Sequence, residues 1–128
     1  MMNKIGGLIE LEALLENILK KKSDRAFLKH KILYFAYLYE NLSVGMIVEK
    51  LGIKKTNFAL MTKQLEKEGL LTINQSKMDK RCHVLTLTVE GMNALYGYVS
   101  SINDLVGDLS DELEQNVKKL NEKFNKIV

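Results

Sequence analysis

No proline occurs anywhere in the 128 residues, so nothing removes a backbone N–H from a helix or clashes with its preceding turn, and long helices meet no such break. The single cysteine, Cys82, excludes an intrachain disulfide and suits a reducing compartment, so a cytoplasmic setting is expected. The longest apolar run, Ile32 to Tyr39, falls far short of the roughly 18 residues needed to cross a bilayer. At the start of the chain, Glu10, Glu12 and Glu16 interrupt the apolar residues, against the pattern of a secretory signal. There is no internal repeat, no glycine-rich phosphate loop and no Ser-His-Asp constellation. His30 and His83 stand far apart without a cluster of acids or thiols. The expectation is a chain with no enzymatic activity, no cofactor, no metal and no membrane.

Excess charge is also scarce. Nineteen basic residues face sixteen acidic ones, and a net charge of +3 is too small to identify a polyanionic partner. The distribution says more. Residues 41–84 carry eight basic and four acidic groups, whereas residues 85–128 carry four and seven. A basic centre with an acidic tail is the pattern of a nucleic-acid-reading head attached to a different module, with ordinary surface scatter as the alternative.

What is present is helical periodicity. With 46% apolar residues the chain is globular, and its length suits one domain. Leu8, Leu11, Leu15 and Ile18 mark an amphipathic helix from about Leu8 to Lys21, with Gly6-Gly7 expected to fray or bend its beginning. A second helix, capped by Ser23, runs from about Asp24 to Glu40 and is apolar nearly all round. Ser43 opens a short helix ending at Leu51, Gly52 supplies a left-handed turn, and the next helix runs from Lys54 or Lys55 to Gly69 with Phe58, Met61 and Leu65 toward the core. Two short helices joined by a three-residue turn containing glycine form a helix-turn-helix. The period then changes. Leu70–Gln75 and Arg81–Leu87 read as strands with Ser76–Lys80 between them, a hairpin placed as a wing. Thr88 and Ser110 cap two final helices, one bearing Met92, Leu95, Val99, Ile102 and Val106, the other Leu113, Val117, Leu120 and Phe124, with Gly107 between them.

The stretch Leu51-Gly-Ile-Lys-Lys-Thr-Asn-Phe-Ala-Leu-Met-Thr-Lys-Gln-Leu-Glu-Lys-Glu-Gly-Leu70 resembles the recognition segment of MarR-type transcriptional regulators. Asp79-Lys80-Arg81, followed by Leu87-Thr88 and Gly91, resembles the D-x-R…L-T-x-x-G signature of that family's wing. Lys54 and Leu60 depart from the small hydroxyl residue and the arginine common at those positions, which leaves the operator sequence open. The resemblance implies a mainly α fold with a small β-hairpin wing, in a single domain over residues 1–128. About residues 24–88 would form the winged-helix lobe, and about residues 8–22 and 89–128 the dimerisation helices. It implies a homodimer on double-stranded DNA at a pseudo-palindromic operator, most simply a ligand-responsive repressor.

Specific residues follow. With Phe58, Met61 and Leu65 inward, the recognition helix offers Thr56, Asn57, Leu60 and Lys63 outward. Asn57 can read adenine, Thr56 or Leu60 can touch a thymine methyl, and Lys54, Lys55 and Lys63 suit phosphates. The resemblance sends Arg81 into the minor groove. Asp79 can hold its guanidinium in a bidentate pair, and Lys77 and Lys80 add charge to the wing. The bland alternatives are a solvated helix face and an ordinary hairpin salt bridge. For a small aromatic effector the candidate pocket residues are Tyr34, Tyr37 and Tyr96, against the alternative that these rings are simply core. Two rival functions remain open at this stage: a winged-helix module for protein–protein contact, and a metal or redox sensor of the same fold.

Overall fold

A computed structural model of the chain describes residues 2–21, 27–107 and 110–127. Its elements are, in order, α1 (Met2–Lys21), α2 (Phe27–Leu38), α3 (Val44–Leu51), α4 (Lys55–Lys67), β1 (Leu71–Gln75), β2 (His83–Leu87), α5 (Val89–Val106) and α6 (Asp111–Asn125). The strands form one antiparallel hairpin, with Leu71 opposite Leu87, Ile73 opposite Leu85 and Gln75 opposite His83. The fold is mainly α with a small β wing, a winged helix-turn-helix flanked by helices on both sides.

Local chemistry sets the element ends. The Ser43 hydroxyl accepts the Met46 N–H at 3.3 Å and caps α3. Gly52 closes that helix at φ 66°, a left-handed conformation that costs glycine nothing. At the end of α4, Leu70 N–H donates to the Leu65 carbonyl and Gly69 N–H to that of Glu66, both at 3.0 Å, with Gly69 at φ 78°. This pair of bonds is a Schellman motif, and it turns the chain directly into β1. Thr88 caps α5 by accepting the Gly91 N–H at 3.0 Å, and Ser110 caps α6 by accepting that of Leu113 at 3.2 Å.

The core lies wholly between α2 and the first half of α5. Ile32, Leu33 and Ala36 from α2 meet Ile47 and Val48 from α3, Phe58 and Leu65 from α4, Leu71 and Leu85 from the hairpin, and Leu95 from α5. Burying a large apolar side chain of this kind stabilises by roughly 1.5–3 kcal/mol. In contrast, no described residue of α1 or α6 is buried. Leu113, Val117, Leu120 and Phe124 of α6 stay 38–46% exposed, and Ile5, Leu8, Ile9, Leu14 and Leu15 of α1 are exposed as well.

The elements depart from the sequence reading at several points. α1 begins at Met2 and runs straight through Gly6-Gly7 without fraying. Each glycine weakens a helix by roughly 1 kcal/mol without forbidding it, and no proline is present to stop it. α2 ends at Leu38, two residues early, although Tyr39 N–H still donates to the Phe35 carbonyl at 2.9 Å. The Ser23 cap and the Asp24 start lie outside the described residues. β2 starts at His83 because Cys82 N–H donates to the Asp79 carbonyl at 3.0 Å, which holds Arg81 and Cys82 in the turn. Met61 is only half-buried at the core edge. Thr62 is buried in its place, its hydroxyl turned back onto the Phe58 carbonyl at 2.9 Å, so that it enters the core with its polar atom satisfied.

Candidate nucleic-acid interface

α4 presents its outer face because Phe58 and Leu65 anchor its inner one. Lys54, Lys55, Thr56, Asn57, Leu60 and Lys63 are all exposed, Leu60 at 61%. Lys54 sits at the N-cap and makes no capping bond through its side chain, and no acid occupies the first turn. The first-turn N–H groups and the helix dipole are therefore turned outward with cations around them, an arrangement that favours an anion.

The wing is a rigid turn carrying charge at its tip. The Ser76 hydroxyl accepts the N–H groups of Met78 at 3.2 Å and Asp79 at 3.4 Å, and the Gln75 amide donates to the Lys80 carbonyl at 2.9 Å. Arg81 donates from Nε to Asp79 Oδ1 at 3.1 Å and from Nη2 to Oδ2 at 3.2 Å, and its backbone N–H donates to Oδ1 at 3.0 Å. The bidentate pair read from the sequence is thus present. Its hydrogen bonds hold the Asp79 carboxyl below its ordinary pKa and push the Arg81 guanidinium above its own. The pair is fixed in geometry yet open to solvent, with the Arg81 side chain 89% exposed. Lys77 and Lys80 are exposed beside it.

Helix and wing share one groove of about 600 Å³, whose lining includes Lys55 and Lys63 from α4, Arg81 and His83 from the wing and Ser43 before α3. The structure therefore brings Lys55, Lys63 and Arg81 together. Thr56, Asn57 and Leu60 lie on α4 outside that lining, as do Lys77 and Lys80 on the hairpin turn. Both outer edges of the hairpin are tied down. An isolated β-bridge joins Val84 of β2 to Ser43, and Glu66 Oε2 in the last turn of α4 accepts the Ile73 N–H of β1 at 3.0 Å. Sequence reasoning missed Glu66, because its partner is a backbone group seven residues away that only the turn at Gly69 brings near. Gly91 was legible as a motif residue, and the structure gives its reason. A Cβ there would collide with the Leu70 carbonyl, which already accepts the Thr88 N–H at 3.2 Å.

A separate apolar cavity of about 320 Å³ lies between α1, α2 and α5, lined by Leu19, Phe27, His30, Tyr34, Tyr98 and Ile102 among others. Of the three tyrosines expected around an effector, Tyr34 lines it, whereas Tyr37 and Tyr96 are 53% and 76% exposed and lie elsewhere. His30 and Tyr98 also line the cavity, stacked at 4.2 Å between ring centroids and 11° between planes. His30 Nδ1 is buried without a hydrogen-bond partner among the described residues, and burial pulls the pKa of the ring down. Cys82 is half-buried, with Sγ 3.8 Å from Asp79 Oδ2. No group of three potential metal ligands occurs among the described residues, and no described helix is long and apolar enough to cross a membrane.

Solved structures with this architecture are numerous. The transcriptional regulator BldR from Sulfolobus solfataricus superposes with a TM-score of 0.75 at 17% identity, covering 98% of this chain and 96% of that one. AbfR of Staphylococcus epidermidis superposes with a TM-score of 0.71 at 17% identity, covering 98% and 90%. Reduced AbfR bound to DNA gives 0.65 at 17% identity, covering 98% and 91%. No curated protein sequence matches the chain. The MarR family model matches residues 28–83, from α2 into the start of β2. Over that segment, which holds the exposed recognition helix and the Asp79–Arg81 wing, the chain is similar to the MarR family, and its fold is a winged helix-turn-helix.

Proposed function

We propose that the protein is a DNA-binding transcriptional regulator that acts as a homodimer on a pseudo-palindromic operator. The observation that carries this reading is the shared groove, where Lys55 and Lys63 of an outward-facing helix meet Arg81 of a braced wing. Cations at that spacing suit the phosphates of one duplex, with α4 in the major groove and Arg81 in the adjacent minor groove. The DNA-bound state of AbfR, a protein of the same architecture, supports the same use of the fold. Dimerisation is supported by α1 and α6, whose apolar stripes stay largely exposed in the protomer, with no described residue buried. Two such protomers would present two recognition helices to two half-sites.

Repression released by a ligand is the regulatory form of the proposal. The cavity between α2 and α5 adjoins both the reading lobe and the terminal helices, so a molecule filling it would bias the spacing of the two heads. The whole reading is tested by selecting bound sequences from a random duplex library with the intact protein. Recovery of a two-fold symmetric consensus is the expected result. A chain that enriches no sequence and retards no duplex at low salt is not this kind of regulator.

A further inference from the structure

The two edge ties of the wing are not equivalent. The bridge at Ser43 is made by backbone, whereas the tie at β1 is one carboxylate, Glu66 Oε2, on the N–H of Ile73. Ile73 faces Leu85 in the hairpin register, and the alternation is fixed by Ser76 N–H on the Cys82 carbonyl and Thr88 N–H on that of Leu70. The Ile73 N–H therefore points away from β2 and would otherwise be an open edge donor. Glu66 lies one turn past Thr62, on the helix that carries Asn57 and Lys63. The carboxylate thus joins the recognition helix directly to the middle of β1, in the hairpin whose far end holds Arg81.

We propose that Glu66 is a positioning residue for DNA recognition: it locks the angle between α4 and the wing so that Arg81 meets the duplex in register with the helix. This rests on the DNA-binding reading above. A hairpin extends roughly 3.3 Å per residue, so a small tilt at Ile73 becomes a larger displacement at Arg81. Ser43, Val84, the core side of β1 and the Leu70–Leu65 turn bond hold the hairpin to the lobe, and Glu66 adds a side-chain tie from α4 to the outer edge of β1.

The test combines amide exchange with a double-mutant cycle. Glu66→Ala and Glu66→Gln both remove one negative charge, so any gain from reduced repulsion of DNA is the same in each. Only the glutamine keeps an oxygen that can accept the Ile73 N–H. Loss of one neutral hydrogen bond corresponds to roughly a three- to tenfold effect, and Glu66→Ala should weaken binding to a random-sequence duplex pool by about that factor relative to Glu66→Gln. In an Arg81→Ala background the same comparison should shrink to less than about twofold, because there is no arginine left to misplace. Exchange at the Ile73 amide should accelerate in Glu66→Ala and stay slow in Glu66→Gln. Equal affinities for the two Glu66 variants, or an undiminished difference in the Arg81→Ala background, overturn the proposal and leave the DNA-binding reading intact. Failure of the wild-type chain to bind any duplex overturns both, and the Ile73 amide still reports whether the tie exists.

Discussion

Gly91→Ala is the most informative single-atom change outside the reading surface. The added methyl would occupy the position of the Leu70 carbonyl, a backbone atom that cannot rotate aside. That carbonyl accepts the Thr88 N–H at 3.2 Å, while the Thr88 hydroxyl donates to the Gly69 carbonyl at 2.6 Å and accepts the Gly91 N–H at 3.0 Å. To make room, α5 must lift from the turn that ends α4. Forced overpacking costs roughly 1–3 kcal/mol, and loosening the hydrogen bonds of this corner adds about 1 kcal/mol each. A total of about 4–6 kcal/mol lowers Tm by roughly 15–22 °C in a domain of this size. Gly97→Ala is the control in the same helix. Nothing lies within 4 Å of its added Cβ, so it should stabilise by about 0.5–1 kcal/mol through helix propensity. Thermal and urea unfolding at one fixed protein concentration measure both, the concentration being held because association shifts Tm. If Gly91→Ala unfolds within about 0.5 kcal/mol of wild type, α5 does not approach Leu70 this closely and the reasoning fails.

Other perturbations probe different parts of the account. Light scattering should show a dimer for the wild type and a monomer for Leu120→Asp, which puts a charge into the apolar stripe of α6, with DNA binding weakened alongside. The log–log slope of affinity against salt should become shallower by roughly 0.9 for each phosphate-neutralising cation removed, with Lys55→Ala and Lys63→Ala as the first tests. His30 has its pKa lowered by burial from 6.5, so the unfolded chain takes up a proton before the folded one does. The stability due to its neutral ring is complete above that value and is lost as pH falls through 6.5 toward the folded-state pKa. His30→Phe, which keeps a ring against Tyr98, should flatten that part of the Tm–pH curve. An unchanged curve would mean that His30 is not what titrates there.

The lobe was largely legible because its signals are local. Ser43, Gly52, Thr88 and Ser110 act within a few residues, and the caps and turns they announce are present. Phe58 and Leu65 fix the phase of α4, and Asp79 pairs with Arg81 only two residues away, so that geometry could be read from spacing. What escaped was non-local or counter to propensity. Gly6-Gly7 reads as a frayed or bent entry before a helix from about Leu8, yet α1 already runs from Met2 through it. Thr62 carries no apolar signal, yet backbone carbonyls satisfy its hydroxyl in the core. The cavity took Tyr34 from the tyrosine cluster, but its His30–Tyr98 stack joins residues far apart in sequence that no helical period relates. Glu66 was unreadable for the same reason.

The central claim is that α4 and the wing read one duplex in two ways, and Asn57→Ala against Arg81→Ala tests it most directly. Both variants are measured on the selected operator, on a half-site variant and on random duplex, each at two salt concentrations. Arg81→Ala should bind all three more weakly, with a shallower salt slope and less preference for A/T-rich flanks. Asn57→Ala should lose roughly 1–3 kcal/mol on the operator, little on random duplex, and keep the slope. Wild-type binding by Arg81→Ala, or an equal loss on all three duplexes for Asn57→Ala, would contradict the account.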